Sequence, residues 1–125
     1  MLQKLLLIAL AGGLGTLARY GLTGLVGNLV GKEDFPWGTL AVNIFGCFLF
    51  GILWETMTKG TVSSEMRIVI LVGFMGAFTT FSTYMYETGK FLQDAQWLAA
   101  LGYVAGQNVV GFVALSVGIL IGRAV

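Results

Sequence analysis

The residues best placed to do chemistry stand in one apolar stretch, Gly73-Phe74-Met75-Gly76-Ala77-Phe78-Thr79-Thr80-Phe81-Ser82-Thr83-Tyr84-Met85-Tyr86-Glu87. The segment around it is long enough to cross a bilayer, yet its middle is poor helix material. Gly76 costs backbone entropy, and Thr79, Thr80, Ser82 and Thr83 can bond to their own backbone instead of continuing a helix. At membrane depth such a run is tolerated only against protein or a wet cavity. An interruption there frees backbone carbonyls, and freed carbonyls can coordinate a cation. The chemistry to which these residues point is ion coordination, with the rest of the chain as a scaffold.

Composition sets the class of that scaffold. The chain has 125 residues, 57% hydrophobic and 10% charged, whereas a soluble domain carries about 25% charged residues. So few charges cannot cover a water-facing surface, and the chain reads as an all-α integral membrane protein. A net charge of +1 gives no sign of nucleic acid or another acidic partner. There is no histidine and one cysteine, which excludes a zinc site, a haem site, an internal disulfide and a Cys-His pair. Cys47 reads as a small apolar packing residue. With no nucleophile-base set and no metal set, the chain does not read as an enzyme.

A single domain of residues 1–125 is expected, with four spans at about 2–30, 39–57, 66–91 and 97–121. The first apolar run passes Arg19 with no obvious cleavage site and is too long for a signal-peptide core, so it reads as a retained helix. Gly12 and Gly13 lie near Thr16 at a spacing that admits another backbone. Arg19 is the one charge deep in this run, either functional and paired or reaching to the interface. The loop Gly31–Gly38 gathers charge, the only proline and an interfacial Trp37. In the second span Asn43 stands alone, as a structural hydrogen-bonding group or as a pore-lining donor, and Glu55 falls near the far end. Lys59–Arg67 and Lys90–Trp97 read as the other loops. In the third span, i,i+3 spacing puts Phe81 with Tyr84, and Phe78 with Phe81, on shared faces. Glu87 follows one turn after Thr83. In the fourth span Tyr103 and Gln107 share a face, and Asn108 and Ser116 extend a hydrogen-bonding track.

The side holding both termini carries Lys4, Lys59, Arg67 and Arg123, and the other carries Lys32 and Lys90 with Arg19 nearby. Orientation follows such a bias, and here it is slight. A chain that inserts both ways up makes an antiparallel homodimer natural, and a second copy supplies wall that one small bundle lacks.

The third-span string Gly73-Phe74-Met75-Gly76 followed by Thr79-Thr80-Phe81-Ser82-Thr83 and Glu87 resembles the signature of the Fluc (CrcB) fluoride channel family. So do Trp37-Gly38-Thr39-Leu40 with Val42-Asn43, and Gly15-Thr16-Leu17-Ala18-Arg19-Tyr20. The resemblance runs the full length in the same order. It implies a dual-topology antiparallel dimer in a prokaryotic inner membrane, with two fluoride pores and a central structural sodium ion. By that resemblance Gly76 and Thr79 offer backbone carbonyls to sodium. Phe81 is the first pore phenylalanine, and Tyr84 stands where the family usually has a second. Asn43 is the pore asparagine, Ser82 the adjacent hydroxyl, and Thr80 a further pore residue. Glu87, Tyr103 and Asn108 belong to the polar track, and Arg19 to the vestibule.

The physics agrees with the resemblance. A small, strongly hydrated anion needs donors in place of lost water, which hydroxyls and an amide supply. The positive edge of an aromatic ring attracts an anion more weakly, and weak multiple sites suit conduction. Tyr84 departs from the pattern by adding a hydroxyl, and Gln107, Asn108 and Phe112 occupy a region where the family tends to place small hydroxyls. Two other readings are a small multidrug-type proton-coupled transporter, whose chemistry needs a first-helix carboxylate that this chain lacks, and a non-conducting subunit of a heterodimeric channel.

Overall fold

The computed structural model describes residues 1–31, 35–60 and 62–125. Lys32, Glu33 and Asp34 of the first loop and Thr61 of the second lie outside the described residues. Among the described residues five helical elements follow in order: α1 (Leu2–Val30), α2 (Trp37–Thr58), α3 (residues 64–78), α4 (Phe81–Gln93) and α5 (Trp97–Ala124). Four stretches among the described residues, Leu2–Val30, Trp37–Thr58, Ser64–Gln93 and Trp97–Ala124, are long and apolar enough to cross a bilayer. The third comprises α3 and α4 together. Two wider π-helical stretches lie inside the helices, Val69–Met75 in α3 and Gly106–Val110 in α5.

The helices reach further into the loops than expected. Ser63 caps α3, its hydroxyl accepting from the Met66 N–H at 3.3 Å, so Arg67 is helical rather than part of a loop. At the other end α4 continues to Gln93 and leaves only Asp94–Gln96 as a turn, closed by the Gln96 N–H on the Phe91 carbonyl at 2.8 Å. The ends of α2 and α5 lie on the same side. Arg123 Nε meets Glu55 Oε1 at 3.3 Å, and Lys59 Nζ donates to the Arg123 carbonyl at 3.1 Å.

Close helix approach uses glycine. A Cβ on Gly118 of α5 would collide with the Phe48 carbonyl oxygen of α2. A Cβ on Gly15 would collide with the Phe74 carbonyl oxygen, which is how α1 seats on α3. The contact expected at Gly12 and Gly13 is made by Gly12 and not by Gly13. Gly12 does face another backbone, its Cβ position 3.7 Å from the Gly73 carbonyl oxygen, whereas Gly13 has nothing within 4 Å of its Cβ position, because the face of α1 turned to α3 runs through Ile8, Ala11, Gly12 and Gly15.

Two apolar cores result. Val42, Met75 and Phe78 form one, and Tyr84, Phe91, Ala100 and Tyr103 the other. Phe78 and Phe81 do not share a face. Phe78 is 3% exposed and stacks on Phe74 at 6.0 Å, whereas Phe81 is 72% exposed. The cause lies between them, where Thr79 and Thr80 adopt extended dihedrals (φ −86°, ψ 160° and φ −146°, ψ 114°) that abolish helical i,i+3 geometry.

Candidate ion pathway

The two extended residues redirect the backbone hydrogen bonds around them. In a continuing helix the Thr80 N–H would donate to the Gly76 carbonyl. Here it donates to Asn43 Oδ1 at 2.8 Å. Likewise the Thr83 N–H would donate to the Thr79 carbonyl, and instead it meets Thr80 Oγ1 at 3.3 Å, the N-cap of α4. Both carbonyls singled out from the sequence, those of Gly76 and Thr79, thus lose their helical donors. Gly76 is exposed on the single chain. The Thr79 side chain is fixed, with its hydroxyl donating to the Met75 carbonyl at 3.1 Å and its methyl over Gly46, where no Cβ would fit.

Asn43 also donates from Nδ2 to the Thr80 carbonyl at 3.0 Å and to Gln107 Oε1 at 3.1 Å. One backbone group sets the direction of everything beyond. An amide N–H can only donate, so Asn43 must turn Oδ1 to Thr80 and its nitrogen to Gln107. Gln107 Nε2 then donates to the Tyr103 hydroxyl at 3.0 Å, and Tyr103 donates to Glu87 Oε2 at 2.6 Å. Thr39 donates to Glu87 Oε1 at 2.9 Å. A directed chain of hydrogen bonds therefore runs from the extended segment to Glu87. Tyr103 and Thr39 are buried, at 0% and 5% exposed.

A cavity of about 360 Å³ opens beside this chain, and Asn43, Cys47, Thr79, Thr80, Phe81, Tyr84, Gln107 and Asn108 contribute to its lining. Phe81 and Tyr84 meet edge to face with centroids 5.7 Å apart, as their spacing predicts. Ser82 and Thr83 lie exposed beside Phe81 on the chain surface. Asn108 joins Tyr84 rather than the Tyr103–Gln107 line, donating at 3.1 Å to the Tyr84 hydroxyl and at 2.8 Å to the Val104 carbonyl. Among the described residues Ser116 bonds only back to Phe112 at 2.9 Å, so it does not extend the track there. Arg19 makes no hydrogen bond or ion pair among the described residues. Among those residues no group of three or more His, Cys, Asp or Glu side chains stands together.

Thr39 stands in the Trp37-Gly38-Thr39-Leu40 string, but its bond to Glu87 is not expected from the sequence. Its signal was its place one turn before Asn43 on the same face of α2. Spacing puts Gln107 on the track with Tyr103, whereas its role as the link between Asn43 and Tyr103 follows only from the packed structure.

A polar line joining three of the four apolar spans, with a largely apolar cavity beside it, defines a multi-pass membrane protein with a hydrogen-bonded interior. Residues 6–119 match the family model described as CrcB-like protein, Camphor Resistance (CrcB). The chain is 53% identical over 126 residues to a fluoride-specific ion channel FluC of Solidesulfovibrio magneticus, and 50% identical over 126 residues to one of Nitrosococcus oceani, covering all of both chains in each case. It is 48% identical over 126 residues, again full length, to a third of that name from Desulforapulum autotrophicum. The chain belongs to the CrcB (Fluc) family, a family of ion channels and not of enzymes. It is a multi-pass protein of a prokaryotic plasma membrane.

Proposed function

We propose that the protein is a fluoride-selective channel that lets fluoride leave the cell passively, as an antiparallel dimer of this chain with two pores. One observation carries the reading. Phe81, Ser82, Thr83 and Asn108 lie exposed on the single chain midway along segments that cross the bilayer. The Asn108 nitrogen is satisfied within the chain, and the Thr83 oxygen accepts from Thr80. But lipid cannot satisfy the Ser82 hydroxyl, the Thr83 proton or the Asn108 side-chain oxygen at that depth, so this strip belongs against a second copy or an aqueous path. A second copy would close the cavity with its own strip, and the slight Lys/Arg bias permits the inverted insertion that an antiparallel pair needs.

In this reading a fluoride ion exchanges water for hydroxyl donors and for the positive edges of Phe81 and Tyr84. Both Asn43 amide hydrogens are committed to Thr80 and Gln107, so Asn43 serves chiefly to hold the extended segment open to the cavity. The hydroxyls of Ser82 and Thr83 remain to serve the ion.

The diverted Thr80 and Thr83 N–H groups make the Gly76 and Thr79 carbonyls a fitting half-site for sodium, which a second copy would complete. Bound there, sodium would supply a positive charge between the pores and tie the two interrupted helices together.

The test is fluoride efflux from liposomes holding the purified protein, read with a fluoride electrode beside a chloride control. Rapid fluoride loss with chloride retained is expected. Folded dimer without fluoride flux would overturn the reading in favour of a non-conducting subunit.

A further inference from the structure

We infer that the Tyr84 hydroxyl is a direct hydrogen-bond donor to the permeating anion and that Asn108 aims it. The inference rests on the fluoride-channel reading and adds a site residue pair to it. Asn108 Nδ2 is anchored by the Val104 carbonyl at 2.8 Å, and a carbonyl can only accept, so the amide cannot be turned over. Its second hydrogen therefore points to the Tyr84 oxygen, 3.1 Å away. Tyr84 accepts that bond, and its own proton is directed elsewhere. No acceptor for that proton stands among the hydrogen bonds of the described residues, although the Tyr84 ring is 7% exposed and lines the 360 Å³ cavity.

Ring packing fixes the donor's place. Tyr84 lies edge to face with Phe81 at 5.7 Å and with Tyr103 at 5.5 Å, so its hydroxyl cannot swing far from the cavity wall. The π-helical stretch Gly106–Val110 carries both Gln107 and Asn108. It sends adjacent side chains to different partners, Gln107 to Asn43 and Tyr103, and Asn108 to Tyr84. The wall that a phenylalanine would line with ring edge alone thereby gains an O–H, and a phenolic O–H donates to a charged acceptor more strongly than a ring edge does.

The experiment is fluoride efflux from liposomes over a range of fluoride concentrations, with wild type, Tyr84→Phe, Asn108→Leu, the double variant and Asn108→Asp compared after size-exclusion chromatography confirms folded protein. Tyr84→Phe is expected to raise the half-saturating fluoride concentration about tenfold, the weight of one hydrogen bond to a charged group. Asn108→Leu should shift it the same way, and the double variant should shift it no further than Tyr84→Phe alone. Asn108→Asp should act most strongly, since a carboxylate accepts the Tyr84 proton and also repels the anion. The uncharged Asn108→Leu reads the same bond if Tyr84→Phe does not fold. Half-saturation unchanged in Tyr84→Phe would overturn the inference while leaving the channel intact. Additive shifts would remove Asn108 from its positioning role. A folded wild type without fluoride flux would overturn the channel reading and this donor together.

Discussion

The side chain of Asn43 pairs with both backbone polar groups of Thr80, accepting from its N–H at 2.8 Å and donating to its carbonyl at 3.0 Å. An extended residue at membrane depth would otherwise leave a donor and an acceptor without partners, each a cost of about 1–3 kcal/mol. Asn43 supplies in one amide what a neighbouring strand would supply in a sheet. Asn43→Leu should therefore destabilise the protein by on the order of 3 kcal/mol, read as a shift in the midpoint of denaturant unfolding in detergent. A shift below about 0.5 kcal/mol, the scatter of neutral surface changes, would mean that other groups satisfy Thr80.

Tyr103 is the hinge of the line that continues from Asn43 and Gln107. Its hydroxyl accepts from Gln107 and donates to Glu87 while the ring is wholly buried. Tyr103→Phe keeps the ring and severs both bonds, leaving a Gln107 donor and a Glu87 oxygen short of partners. A loss of about 2 kcal/mol is expected, and thermal unfolding in detergent measures it. Thr39→Val removes only the other Glu87 donor and should cost less, about 1 kcal/mol. An equal or greater loss in Thr39→Val would shift the weight from the Tyr103 link to the end of α2.

Much of this was legible one residue at a time. The hydroxyl-rich run Thr79–Thr83 marks where helical bonding stops, because those side chains compete for backbone partners, and Thr80 does cap α4. Local spacing also served within a helix, as in Phe81 with Tyr84 and Tyr103 with Gln107. It failed for Phe78 with Phe81, where two extended residues intervene. It also failed to separate Gln107 from Asn108, because a π-helical stretch departs from 3.6 residues per turn. The pairing of Asn43 with Thr80, which lie 37 residues apart, depends on how α2 packs and leaves no trace in local pattern.

The seam between α2 and α5 gives a prediction about stability alone. Gly118→Ala would drive a methyl into the Phe48 carbonyl, and backbone cannot yield as a flexible side chain does. Folded yield should fall, with a cost of about 2 kcal/mol typical of overpacking. Gly27→Ala is the control, because nothing lies within 4 Å of its Cβ position and alanine favours a helix interior by up to about 1 kcal/mol. If both variants behave alike on size exclusion and thermal unfolding, the seam is looser than the geometry implies.

Phe81 and Phe78 separate pore chemistry from packing. Phe81 is 72% exposed on the chain and touches the Tyr84 ring, so Phe81→Ile should leave a folded protein. The variant loses the ring edge, worth about 1.5 kcal/mol at the upper end for aromatic contacts, and fluoride efflux from liposomes should fall about tenfold. Phe78 lies in the core, 3% exposed against Phe74 and Phe45. Phe78→Ile should instead destabilise the fold by about 1–3 kcal/mol and leave flux per folded molecule nearly unchanged. Unaltered efflux in Phe81→Ile would take that ring out of the ion's path. Lost efflux per folded molecule in Phe78→Ile would show that the shape of the core, rather than the exposed strip, governs passage.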